Sequence, residues 1–111
     1  MADLRFGTFR MKVYARICPP QVSPEEREAF VQLIDRQDED GVVAFFARHP
    51  GDANSQRVRM ILQEAREIGD RINILDRTLP SLPHTEINEC YGRLRSLGDE
   101  LASIEASGAL R

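Results

Sequence analysis

Residues 54–79 read NSQRVRMILQEAREIGDRINILDRTL and residues 86–106 read EINECYGRLRSLGDELASIEA, and the spacing of their apolar side chains decides the fold. Val58, Ile61, Ala65, Ile68, Ile72, Leu75 and Leu79 follow an unbroken three-four spacing. It breaks at Pro80-Ser81-Leu82-Pro83 and resumes at Ile87, Cys90, Leu94, Leu97, Leu101 and Ile104. Apolar positions three and four apart fall on one face of a helix, and two such helices joined by a few turn residues read as an antiparallel hairpin. The hairpin is expected over 54–106, with Asn54 or Ser55 as its first cap. With the turn near 81–82, Gly69 and Gly92 fall at about one level. A helix-interior glycine costs about 1 kcal/mol relative to alanine. The pair therefore reads either as a slot for a close backbone approach or as glycines tolerated at a surface.

Upstream, Ser23-Pro24-Glu25-Glu26 is a helix start: Ser23 caps, proline suits the first position and Glu26 completes a capping box. Ala29, Phe30, Leu33 and Ile34 form its apolar stripe, and the helix is expected to stop near Gln37. A short helix follows from Val42 to about Arg48, capped by Asp40 and closed by His49-Pro50-Gly51. Residues 8–17 read differently. Phe9, Met11, Val13, Ala15 and Ile17 alternate with Arg10, Lys12, Tyr14 and Arg16, the period of a strand with an apolar and a cationic face. Cys18-Pro19-Pro20 would end it. The expected fold is mostly α: two short helices (23–50) packed on a C-terminal antiparallel hairpin, preceded by an N-terminal β-strand or extended arm (1–22).

The chain has 111 residues, 41% hydrophobic and 30% charged, which fits one globular domain. Its net charge of −3 and 6% aromatic content, with no Trp, argue against a general nucleic-acid binder. Arg5, Arg10, Lys12 and Arg16 against Asp3 give residues 1–24 a net +3, leaving −6 for the rest. Two cysteines are too few for a disulfide framework. No run is long enough for a membrane span. A reduced, cytoplasmic protein is the expectation; a mitochondrial targeting segment over 1–20 is the alternative, though its apolar residues form no single helical face.

Chemical signatures are sparse. Asp38-Glu39-Asp40-Gly41 has the acidic run of a calcium loop, but with Gly41 at position six the first ligand would be Arg36 and the last Ala47, so the loop fails. Cys18, His49, His84 and Cys90 lack the paired spacing of a metal site. No catalytic, cofactor or metal residue is assigned. His49 suits a helix C-terminus, and Cys90, on the apolar stripe, reads as a buried inert thiol.

Two short stretches resemble known families. Glu67-Ile68-Gly69-Asp70-Arg71-Ile72-Asn73-Ile74-Leu75-Asp76 resembles the start of the long helix of small all-helical chorismate mutases. That resemblance implies an enzyme in which helical Arg, Lys and Glu side chains hold a dicarboxylate. It covers ten residues, and this chain has no lysine after Lys12. Val42-Val43-Ala44-Phe45-Phe46, a turn through Pro50-Gly51-Asp52 and a new helix is similar to one armadillo-type repeat, which implies an adaptor, although a solenoid needs about three units.

A lone strand needs a sheet, and no second strand is evident. The functional expectation is therefore a non-enzymatic protein-interaction module, self-associating or a small subunit of a larger assembly, that lends this strand to a partner or a second copy. Its contact residues would be Phe9, Met11, Val13 and Ile17, with Arg10, Lys12 and Arg16 facing solvent or an acidic partner. The competing class is a small all-α enzyme or ligand-binding domain built on Asp70, Arg71, Arg93 and Arg95. A third reading takes the cationic face as a nucleic-acid or anionic-membrane contact, recognisable by strong salt dependence.

Overall fold

The computed structural model describes residues 4–19, 21–78 and 85–108. Their regular structure is helical throughout: α1 (Gly7–Ala15), α2 (Pro24–Asp35), α3 (Glu39–Arg48), α4 (Ala53–Thr78) and α5 (Thr85–Ala106). The molecule measures 52 × 29 × 22 Å, its long axis set by the 26-residue α4, about 39 Å at helical rise.

The expected strand over 8–17 is corrected: the segment forms α1. The buried side chains are Arg10, Met11, Val13, Tyr14 and Ile17, a helical set, while Ala15 is exposed and Tyr14 is not, the reverse of the alternation. A strand with no neighbour would leave its backbone groups unpaired, whereas a helix satisfies them internally. α1 also lies at the centre of the fold. α2 and α3 pack on each other and on α1, and α1 packs on α4. The two short helices thus reach the hairpin mainly through α1. Tyr14, Phe30, Phe45 and Phe46 form the aromatic knot of this layer, with ring centroids 5.0–6.0 Å apart.

α2 starts as expected: the Ser23 hydroxyl accepts the Glu26 N–H at 3.2 Å, and the Glu26 carboxylate accepts the Ser23 N–H at 3.5 Å. α3 begins three residues before Val42, and its cap is Asp38 instead of Asp40; Asp38 Oδ1 accepts the Gly41 N–H at 3.0 Å. Glycine permits this closure, because a Cβ at 41 would lie 2.6 Å from both Asp38 Oδ2 and Leu33 Cδ2. α4 is capped by Asp52, not by Asn54 or Ser55, with the Ser55 N–H donating to Asp52 Oδ1 at 2.8 Å.

α4 and α5 run antiparallel and bury their three-four stripes against each other; the turn through 80–83 lies outside the described residues. Three ion pairs fix the register. Arg57 bonds Glu100 at 2.6 Å, Arg93 bonds Glu64 through both guanidinium nitrogens Nε and Nη2, and Arg71 bonds Glu86 at 2.6 Å. Partners on each helix are seven residues apart, so the pairs ladder along one edge of the seam. The residues on either side of α1 close the other edge, where Arg5 lies on Gly69 and Arg16 bonds Glu105 at 3.1 Å. Gly69 is therefore a slot: a Cβ there would sit 3.1 Å from the Arg5 carbonyl oxygen. Gly92 is open to its surroundings.

Candidate functional site

The expected contact residues divide between core and surface. Met11, Val13 and Ile17 are buried, Phe9 is half-buried against the same core, and Lys12 and Arg16 are exposed. A helical α1 offers no unpaired backbone for strand addition, so the premise of strand lending is removed.

Arg10, expected on the solvent face, is buried. Its Nε and Nη2 donate to the two Glu39 carboxylate oxygens at 2.7 and 2.8 Å, and Nη1 donates to the Leu4 and Arg5 carbonyls at 2.9 and 2.8 Å. This bidentate pair clamps α1 to the first turn of α3. Beside it Tyr14 is fully buried and its hydroxyl has no hydrogen-bond partner among the described residues. Burial, reinforced by the Glu39 charge, pushes its phenol up to about 12 against the opposing effect of Arg10, Arg66 and Arg59. The sequence carries no local signal for this cluster, since Glu39 stands 29 residues from Arg10.

A cavity of about 570 Å³ opens where the α1–α2 and α3–α4 connections meet. Ile17, Cys18, Pro19 and Val22 form one wall, and Arg48, His49, Pro50 and Asp52 the other. The second wall is tied down at several points. His49 Nε2 meets a Glu26 carboxylate oxygen, and its ring packs on Phe45 with centroids 4.8 Å apart. Arg59 Nη2 donates to the Pro50 carbonyl at 2.7 Å, and Gln56 Nε2 to the Gly51 carbonyl at 3.2 Å. Gly51 adopts φ +72°, the left-handed turn expected of it. Ser23, Glu26 and His49 are adjacent, but Glu26 lies between the other two. The imidazole therefore meets the Glu26 carboxylate and not the Ser23 hydroxyl, and the group works as a cap and a clasp. Burial pushes the Cys18 thiol up despite nearby Arg27, the opposite of an activated nucleophile. Both cysteines are free, and Cys90 is buried as expected.

A smaller groove, about 310 Å³, runs between α3 and α4 past Glu39, Asp40, Val43, Gln63, Arg66, Glu67 and Asp70. Arg66 spans it, bonding Asp40 at 2.6 Å. Of the helical cations in the enzyme reading, Arg71 and Arg93 are spent on the ion-pair ladder, and neither they nor Arg95 lines either cavity. Among the described residues no His, Cys, Asp and Glu side chains group to hold a metal ion, and no helix is long and apolar enough to cross a membrane. Comparison with known proteins gives no matching family model, no matching curated protein and no matching solved structure.

Proposed function

We propose that the chain is a non-enzymatic protein-interaction module that self-associates through the outer half of the α4–α5 hairpin. The observation that carries this reading is the change in burial along the seam. On α5, Leu97 and Leu101 are 1% and 4% exposed, whereas Leu94, Cys90 and Ile87 each stand at 8%, as does Leu75 near the end of α4 although Ile72 before it is fully buried. Just ahead of α1, Arg5 Nη1 donates to the Tyr91 hydroxyl at 2.6 Å. Phe6, against Arg5, and Ile74, near the end of α4, are 55% and 63% exposed. Two hairpins laid against each other make a four-helix bundle, the arrangement that covers a two-helix seam, and a two-fold axis lets one patch serve both copies. Light scattering of the full chain over a range of concentrations tests it. A dimer that Ile74→Glu or Phe6→Glu converts to a monomer with unchanged helical circular dichroism is expected. A monomer at every concentration overturns the reading.

A further inference from the structure

We propose that the 570 Å³ cleft between the α1–α2 and α3–α4 connections binds a small organic carboxylate carrying a short branched apolar body. The site lies apart from the association surface and does not depend on it. Its volume falls in the range of small-molecule pockets, roughly 300–1,000 Å³, and its walls combine Ile17, Pro19, Val22 and Pro50 with Arg16, Arg48, His49, Asp52 and Ser55.

Charge decides the ligand class. The acidic groups in and beside the cleft are already engaged. Asp52 caps α4, and hydrogen bonds from the Ser55 amide and side chain hold its carboxyl below the usual range. Glu26 is shared between Ser23 and His49, and Glu105 takes Arg16. The Cys18 thiol, pushed up by burial, adds no negative charge at neutral pH. Arg48, in the last turn of α3, lines the cleft and makes no ion pair with any described residue. The open valence of the cleft is thus a guanidinium, which pairs with a carboxylate through two parallel N–H bonds. The apolar wall beside it favours an anion with a hydrocarbon body over a bare phosphate. The ties from Glu26, Arg59 and Gln56 hold the 49–52 wall in place before any ligand arrives, which lowers the ordering cost of binding.

The test is an amide NMR titration of the full chain with isovalerate at constant ionic strength. Isovaleramide supplies the same body without charge, and acetate and inorganic phosphate supply charge without the body. Saturable shifts confined to the amides of 16–18, 21–22, 48–49 and 51–55, tightest for isovalerate, are expected. Arg48→Gln should weaken binding about tenfold or more, the loss of a charge-assisted hydrogen bond. Arg95→Gln, away from the cleft, should leave it unchanged. Thermal unfolding of both variants checks that they remain folded. No saturation, equal shifts with isovaleramide, equal shifts with acetate or phosphate (an adventitious ion only), or indifference to Arg48→Gln would each overturn the proposal.

Discussion

Removing Glu39 should cost far more than removing its neighbour Asp40, although both are acids in the first turn of α3. The Arg10 and Glu39 side chains are 7% and 11% exposed, and the guanidinium is held by both carboxylate oxygens and two backbone carbonyls. In Glu39→Ala the two carbonyls remain but the countercharge is gone. Breaking a buried pair from one side in this way costs about 3–5 kcal/mol. A domain of this size has a total stability of about 5–15 kcal/mol, so the variant should lose a large fraction of it. Asp40, 83% exposed and paired with Arg66, should cost less than about 1 kcal/mol when replaced by alanine. Both variants lose a charge from the same helix terminus, so the macrodipole contribution cancels in the comparison.

Urea unfolding followed by far-ultraviolet circular dichroism measures each value, and the single variants Arg10→Met and Glu39→Leu with the double variant Arg10→Met/Glu39→Leu make a complete cycle. Replacing both partners by apolar residues of similar volume should recover most of the loss, because no unpaired charge remains. A Glu39→Ala penalty as small as that of Asp40→Ala would refute the reasoning. It would mean that Arg10 reaches water and that α1 is not clamped to α3.

Tyr14→Phe should raise stability by about 1 kcal/mol at neutral pH, since a buried hydroxyl without a partner is removed. It should also flatten the alkaline limb. The folded phenol lies above its ordinary value of 10.0, so its contribution is complete below that pH and is lost as pH rises toward about 12. On the acid side, Ser23 holds the Glu26 carboxyl below its ordinary 4.5, so that stability is complete above this value and lost as pH falls through the folded one. Ser23→Ala should therefore be less stable at neutral pH and lose less on acidification, as urea midpoints across the acid range will show. Gly92→Ala and Gly98→Ala, where a Cβ meets nothing within 4 Å, should each stabilise by up to about 1 kcal/mol in thermal unfolding. Gly69→Ala should not, because its Cβ would press on the Arg5 carbonyl that Arg10 holds.

What the sequence discloses depends on how far apart the deciding residues lie. The hairpin is legible because each helix carries its whole apolar stripe within a single run, and the α2 cap because Ser23 and Glu26 are three residues apart. α1 is misread for the opposite reason. Its alternation is real, and choosing helix over strand requires knowing that Arg10 and Tyr14 are buried. Arg10 is buried only because Glu39 is brought to it, and Tyr14 stacks on Phe46 from another helix. An arginine read alone belongs on the surface. Asp38 and Asp40 are equally good caps by composition, and the close approach of Leu33 to Gly41 accompanies the choice of Asp38. The cleft escapes notice because it is built from two connections about thirty residues apart, neither with a motif of its own.

The ion-pair ladder resolves an ambiguity that the apolar stripes leave open. A seam repeating every seven residues packs almost as well after a slip of one heptad, since apolar side chains meet apolar side chains in either register. Along the ladder, α4 presents Arg57, Glu64 and Arg71 and α5 presents Glu86, Arg93 and Glu100, so the sign alternates on both helices. A slip in one direction would set Arg57 against Arg93 and Glu64 against Glu86. The opposite slip would set Glu64 against Glu100 and Arg71 against Arg93. Both replace attraction with repulsion at every remaining rung. Each exposed pair is worth only about 0.2–1 kcal/mol, and like charges cost a similar amount. Three attractions lost and two repulsions gained still separate the registers by about 1–5 kcal/mol. Pairs that add little to the stability of the hairpin therefore contribute much to its uniqueness. In the chosen register Gly69 and Glu105 lie where α1 can span them, so the placement of the N-terminal helix depends on charges it never touches.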